Sequence, residues 1–261
     1  IEWVAAVGMA VAGLNVGVVW WVLRADRRAL RKATELRMYG GFMLLASTAI
    51  AIWIHTDSAA AQSAATSVRT AFVTTTSAMS TTGFTSTDWT GLAHGAQVLL
   101  LLLLSIGAMA GSAGGGFRYV RLLQGFGFAR RELERQLHPT AVRVVRVNGN
   151  PVNEPTLGSL NGYIILYFLI SGAGAALVAL GDSRIGPGSA IALSVSALAT
   201  AGPQLVEAVP LGEIGSVSKL ALALLMLLGR LSIYAAILGV LTVITRVAEY
   251  VRRLRRSRVT R

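Results

Sequence analysis

The sequence has no cysteine. Disulfides, zinc–thiolate centres and iron–sulfur clusters are therefore excluded, and no cofactor is implied. Histidine is nearly absent too, and His55, His94 and His138 share no ligand spacing, so no metal site is assigned to them. Charge is scarce: 14% of the 261 residues are charged and 54% are hydrophobic, a balance foreign to a soluble domain. The strong alternation of apolar and polar residues that a membrane β-barrel requires is missing. No paired carboxylates, and no nucleophile with an adjacent base, fall at membrane depth, so an enzyme is not expected. The chain enters an apolar stretch directly after Ile1, with neither a basic leader nor a small-residue cleavage site. It does not read as a signal peptide, and the sequence reads as a fragment.

What is present is a set of long apolar runs. Trp3 to Leu23, Met38 to Ile54, Trp89 to Phe117 and Pro155 to Gly181 carry no charge. Each is near or above the ~20 residues that cross the hydrocarbon core as a helix. A fifth run, Ile214 to Thr245, is interrupted by Lys219 and, at its centre, by Arg230. The expected fold class is an all-α membrane protein.

The net charge of +12 could point to nucleic acid, but its distribution points to a membrane instead. Basic residues cluster at Arg24–Arg37, Arg118–Arg146 and Arg246–Arg261, which together hold 20 of the 24. Placing all three clusters in the cytoplasm satisfies the positive-inside rule and sets the N-terminus outside. Lipid is then a partner by default, since arginines at helix ends anchor to anionic headgroups. The opposite face carries Glu2, Asp57, Asp88, Asp182, Glu207 and Glu213 against only Arg69 and Arg184, a surface that attracts cations.

This topology puts both ends of the Asp57–Asp88 segment outside, so the segment enters and returns without crossing. Ala59 to Met79 reads as a helix of small residues, and Thr81 to Thr87 as irregular backbone around Gly83. Such re-entrant backbone is tolerated at membrane depth only where it is buried in protein or lines water. The pattern recurs: Pro187 to Ala199 reads as a second short helix, followed by Thr200, Ala201, Gly202 and Pro203. A shift of 119 positions lays "SAMSTTGF" from Ser77 on "SALATAGP" from Ser196. The chain therefore divides into 1–36, an inner helix left over from a preceding unit with its loop, and two copies of a helix, re-entrant loop, helix unit at 37–150 and 151–261. A re-entrant helix ending in Thr-x-Gly suits an ion filter, where backbone carbonyls replace the hydration shell and glycine allows the close approach.

Four segments in order, "SAMSTTGFTSTD", "GAMAGSAGGGFRYVR", "HPTAVRVVRVNGNPV", and "SALATAGPQLVEAVP" followed by "KLALALLMLLGRL", resemble the third and fourth repeats of the Trk/Ktr/HKT superfamily of potassium transporters. The resemblance covers nearly the whole chain. It implies filter carbonyls from Thr81, Thr82, Gly83 and Phe84 in one repeat and from Thr200, Ala201, Gly202 and Pro203 in the other. It implies an intramembrane gating loop at Gly111, Ser112, Ala113, Gly114, Gly115 and Gly116, where six small residues interrupt an apolar stretch too long for one membrane crossing. As a phosphate cradle that run fails, because no Gly-Lys-Ser/Thr follows it. Arg230 stands 119 positions after Gly111, at equivalent depth, and an unpaired arginine there costs several kcal/mol, so a role is the default. By resemblance it projects beneath the filter and restrains the gating loop. Family members often have threonine at the place of Ala113 and an acidic residue at that of Ser232.

Val142 to Val152 alternates apolar and basic residues up to Asn148-Gly149, a tight-hairpin signal. By resemblance this linker docks a cytosolic nucleotide-binding regulatory subunit, so nucleotide is expected on that subunit and no ligand on this chain beyond K⁺. The resemblance further implies a homodimer in the plasma membrane. The expected function is potassium uptake through a carbonyl-lined filter gated from below. The alternatives are a non-conducting assembly subunit, because two filter strands cannot enclose an axis, and a sodium-permeable member of the family. Glycine rather than serine at both filter positions favours potassium by resemblance.

Overall fold

The computed structural model describes residues 1–56, 63–138, 144–147, 149–202, 212–231, 233–239, 241–243 and 245–246. Asp57, Asn148, Pro203, Glu207, Ser232 and all of the basic tail beyond Arg246 lie outside the described residues.

The helices are α1 (Glu2–Ala12), α2 (Val16–Leu23), α3 (Arg27–Lys32), α4 (Thr34–Thr56), α5 (Ala64–Ser80), α6 (His94–Ile106), α7 (Tyr119–Leu137), α8 (Glu154–Gly181), α9 (Pro187–Leu198) and α10 (Ser216–Leu231). A further helical segment, Ile233–Val243, follows α10. Two-residue strands β1 (Arg146–Val147) and β2 (Asn150–Pro151) pair antiparallel, with Arg146 opposite Pro151. Gly149 closes this hairpin at φ +83°, as its tight turn requires. The fold is all-α, as the composition predicts.

Among the described residues, two helices are long and apolar enough to cross a membrane unaided, α4 with 23 residues and α8 with 28. Both are apolar around most of their circumference, which marks a helix with lipid on one side and protein on the other. On α8 the buried residues Leu160, Tyr163, Tyr167, Ser171, Gly174 and Val178 recur every three or four positions. Ile165, Phe168, Leu169 and Leu180 point outward.

The two short helices α5 and α9 occupy the interior. They have 17 and 12 residues, fewer than a crossing needs. α5 packs between α4, α1 and α6, and α9 between α8, α10 and α6. From Thr70 to Ser80 nearly every residue of α5 is buried although the helix is rich in hydroxyls. Some of these hydroxyls bond back to their own helix: Thr74 donates to the Thr70 carbonyl at 2.9 Å and Thr76 to that of Phe72 at 2.8 Å. Ser194 of α9 instead donates across to the Ser171 carbonyl at 2.6 Å. Gly174 permits that approach, since a Cβ there would press on both Ser194 and Leu225.

The inner helices depart from the straight spans predicted for the apolar runs. Trp3 to Leu23 is α1 and α2, bent by 110° between them. The cause is local. Asn15 caps α2 by accepting from the Gly17 amide at 2.7 Å, and Gly13 lets the Tyr39 ring lie against the bend, where a Cβ would collide with its hydroxyl. α10 and Ile233–Val243 bend by 107°. Arg230 is thus in the last turn of α10 beside that bend, not at the centre of a straight helix. In the middle run the helix ends at Ile106, so the break is wider than Gly111–Gly116 and spans 107–118.

Candidate functional site

The residues after α5 and α9 adopt one backbone shape. Thr81 and Thr200 lie in the left-handed region at φ +53° and +59°, and Gly83 and Gly202 at +75° and +83°. Left-handed threonine is costly because its branched Cβ crowds the backbone, so finding it twice at the same register is a structural repeat, not chance. Hydrogen bonding repeats as well. Thr82 N donates to Ser77 O at 3.1 Å and Thr81 N to Ala78 O at 3.3 Å; Ala201 N donates to Ser196 O and Thr200 N to Ala197 O, both at 3.0 Å. Each helix therefore ends in a crossed pair of bonds that satisfies its last carbonyls and turns the chain sharply. Phe84 is exposed at the surface of this chain. Of the predicted filter residues only Pro203 lies outside the described residues.

Directly beneath these ends runs the loop 107–118. Its amide at Gly115 donates to Thr81 Oγ1 at 2.7 Å. A Cβ at Gly115 would overlap the Ala199 carbonyl and the Thr200 hydroxyl, and one at Gly114 would come within 2.7 Å of the Ser80 carbonyl. The loop is thus in contact with the C-terminal ends of both short helices, and glycine is what allows it. Gly229 of α10 meets α9 in the same manner, backbone against the Leu198 carbonyl.

Three more elements hold the loop. Arg230 Nη1 donates to the Ala113 carbonyl at 3.2 Å. The bend between α1 and α2 makes a set of bonds on the other side: Met109 N donates to Gly13 O at 3.1 Å, Val16 N to Gly111 O at 3.3 Å, and Asn15 Nδ2 to Ala110 O. The Ala110 amide donates to the buried Glu35 carboxylate at 2.8 Å. Residues 109–115 are therefore held from α1/α2, α4, the turn after α5, and α10. A cavity of about 150 Å³ opens on the far face of the loop, lined by the glycines together with Arg118, Arg121, Tyr163 and Arg230.

The fold and these residues match known proteins. The family model for TrkH, described as a cation transport protein, matches residues 37–245. This chain belongs to the TrkH family. The Trk system potassium uptake protein TrkH of Escherichia coli (strain K12) is 30% identical over 243 residues, which cover 90% of this chain and 48% of that protein. The TrkH of Vibrio parahaemolyticus is 34% identical over 170 residues, 64% of this chain and 33% of that protein. The crystal structure of the potassium transporter TrkH from Vibrio parahaemolyticus superposes with a TM-score of 0.82 at 25% identity, over 91% of this chain and 51% of that one. The chain thus spans about half the length of the Escherichia coli protein and of the solved chain, and it shares their membrane fold.

Within this TrkH-family frame, Asn15 and Glu35 are parts of the site that the sequence reading does not reach. A signal exists for Asn15, an isolated polar residue in an apolar run, whereas Glu35 is the one acid between Lys32 and Arg37 just ahead of such a run. The acidic residues expected on one face are partly paired. Arg69 is paired with Glu2 at 2.8 Å and Arg184 with Asp182 at 2.8 Å, so both basic residues of the acidic face are neutralised by acids. Asp88 accepts from the Thr90 amide and hydroxyl, which hold its carboxyl below the usual carboxylate range.

Proposed function

We propose that this chain supplies two of the pore-loop units of a potassium uptake pathway, with the loop 107–118 as its gate. The observation that carries this is the pair of identical left-handed turns, at Thr81–Gly83 and Thr200–Gly202, closed from below by one glycine loop. The carbonyls of Thr81, Thr82, Gly83 and Phe84, and of Thr200, Ala201, Gly202 and Pro203, coordinate the dehydrated ion. The C-terminal ends of α5 and α9 direct their negative dipole ends toward it. Gly111 through Gly116 block the path, and Arg230 holds the block and repels cations that approach it. The Trk potassium uptake names of the relatives support this reading. Glycine at 83 and 202 supports potassium over sodium.

Further pore units from outside this sequence complete the ring around the axis. The units 37–150 and 151–261 act as successive repeats, and 1–36 contributes the bent inner helix that latches the loop. The assembly is a homodimer in the plasma membrane, with the hairpin at 146–151 and the end of the chain in the cytoplasm. A cytosolic nucleotide-binding regulatory subunit docks at that hairpin, and this chain carries no cofactor besides the transported ion.

The test is Gly83→Asp in the complete transporter, assayed by potassium uptake with membrane abundance measured in parallel. Uptake should vanish while abundance is retained, because a side chain and a charge enter the carbonyl ring. Normal uptake by this variant would remove Gly83 from the pathway.

A further inference from the structure

The arginine-lined cavity under the loop has a neighbour. Arg121 lines it on one side and, on the other, lines a second cleft of about 340 Å³ between α7 and α8. The walls of this cleft are apolar and aromatic, Phe117, Phe126, Ile164, Tyr167 and Phe168, with Gly125 at its floor. A cationic pocket and an apolar trough thus share Arg121 as a common wall.

The head is built. Arg121 lies 3.6 Å above the Tyr163 ring and donates to the Phe117 carbonyl at 3.1 Å, which fixes its guanidinium and leaves other N–H donors directed elsewhere. Arg118 and Arg230 share the cavity with it. No carboxylate lines either cavity among the described residues. Glu35 acts on Arg118 from the far side of the loop, while its carboxylate receives the Ala110 amide. Three cations against one acid leave an excess of positive charge in this cavity, which favours an anionic ligand.

From this we propose that the Arg118–Arg121–Arg230 cavity and the α7/α8 cleft form a binding site for an anionic phospholipid. The phosphate sits among the guanidinium groups, which match phosphate geometry with paired donors, and an acyl chain fills the trough against Phe126 and Phe168. A free phosphate would satisfy the head alone and leave the aromatic cleft unfilled. A zwitterionic lipid would fill the cleft but bring a cation of its own to the arginines. The site stands independently of whether the loop gates conduction, since its readout is binding.

The experiment uses the complete transporter, purified and delipidated in detergent, with dioleoyl-phosphatidylglycerol, dioleoyl-phosphatidylcholine and inorganic phosphate as separate probes. Binding is followed by thermal shift and by native mass spectrometry. Phosphatidylglycerol should raise the melting midpoint and be retained as a bound lipid, whereas phosphatidylcholine and phosphate should do neither. Arg121→Gln should weaken phosphatidylglycerol roughly tenfold or more through the loss of a charge-assisted bond. Gly125→Leu keeps every arginine but fills the trough, and it should weaken phosphatidylglycerol as well. This second variant keeps the test decisive if Arg121→Gln does not fold. Equal protection by inorganic phosphate, or full phosphatidylglycerol binding by Gly125→Leu, overturns the lipid site and leaves a bare anion pocket. Equal protection by phosphatidylcholine overturns the role of the arginines.

Discussion

The Gly115 amide donates to the Thr81 hydroxyl at 2.7 Å, across 34 positions of sequence, and so ties the loop to the first residue beyond α5. Thr81 accepts this bond while held in the left-handed region at φ +53°. One residue is therefore both the start of the proposed filter and a catch for the proposed gate.

Thr81→Val preserves shape and removes the acceptor. The buried Gly115 amide is then left unpaired, which costs ~1–3 kcal/mol in the closed arrangement. Rubidium flux per transporter should rise, with surface abundance quantified in the same cells. Flux at the parental value would mean that this bond does not restrain the loop.

Arg230→Ala should act in the same direction and more strongly. The bond to Ala113 is lost, and so is a charge whose repulsion of a cation at about 4 Å is on the order of 4 kcal/mol at an effective dielectric of ~20. Specific flux should increase. Unchanged specific flux with reduced abundance would instead make Arg230 a packing residue.

Gly115→Ala places a methyl against the Ala199 backbone carbonyl and the Thr200 hydroxyl, and the backbone contact has no flexible side chain to move aside. Overpacking of this kind costs ~1–3 kcal/mol or more. The variant should lose thermal stability and lose regulated flux. Gly40→Ala, at a helical glycine with open space around it, should be tolerated. Equal behaviour of the two would show that the loop does not press on the pore-helix ends.

Asp182, at the end of α8, gives a pH signature. The Arg184 guanidinium, then the Arg184 amide and the Gly215 amide, hold its carboxyl well below the usual carboxylate range against a smaller opposing effect of burial. A depressed folded-state pKa stabilises fully above the unfolded value of about 4, and that stabilisation is lost as pH falls through the folded value. Asp182→Asn should therefore melt lower than the parent at neutral pH, with the gap steady down to about pH 5 and closing only in stronger acid. A gap that does not narrow in acid would assign the effect to something other than ionisation.

Much of this arrangement is legible in the sequence because it is written twice. The 119-residue shift aligns Thr81 with Thr200 and Gly83 with Gly202, and these pairs share their backbone region. Charge placement is what predicts that the segments around them return without crossing. Asn15 and Glu35 are harder to read because their partners are loop amides and carbonyls 95 and 75 positions away, and those bonds leave no spacing pattern. The bend after Ala12 escapes for a related reason. Gly13 and Asn15 also occur in straight apolar helices, and what bends this one is the Tyr39 ring and the loop packed against it.

The buried hydroxyls of α5 bear on how the chain enters the membrane. A helix carrying Thr70, Thr74, Thr75, Thr76, Ser77 and Ser80 gains little by partitioning into lipid alone. Its environment is supplied by α1, α4 and α6, and α6 is synthesised after it. α5 is therefore fully enclosed only once α6 has been synthesised, and the proposed filter loop gains its surroundings after the segment that forms it.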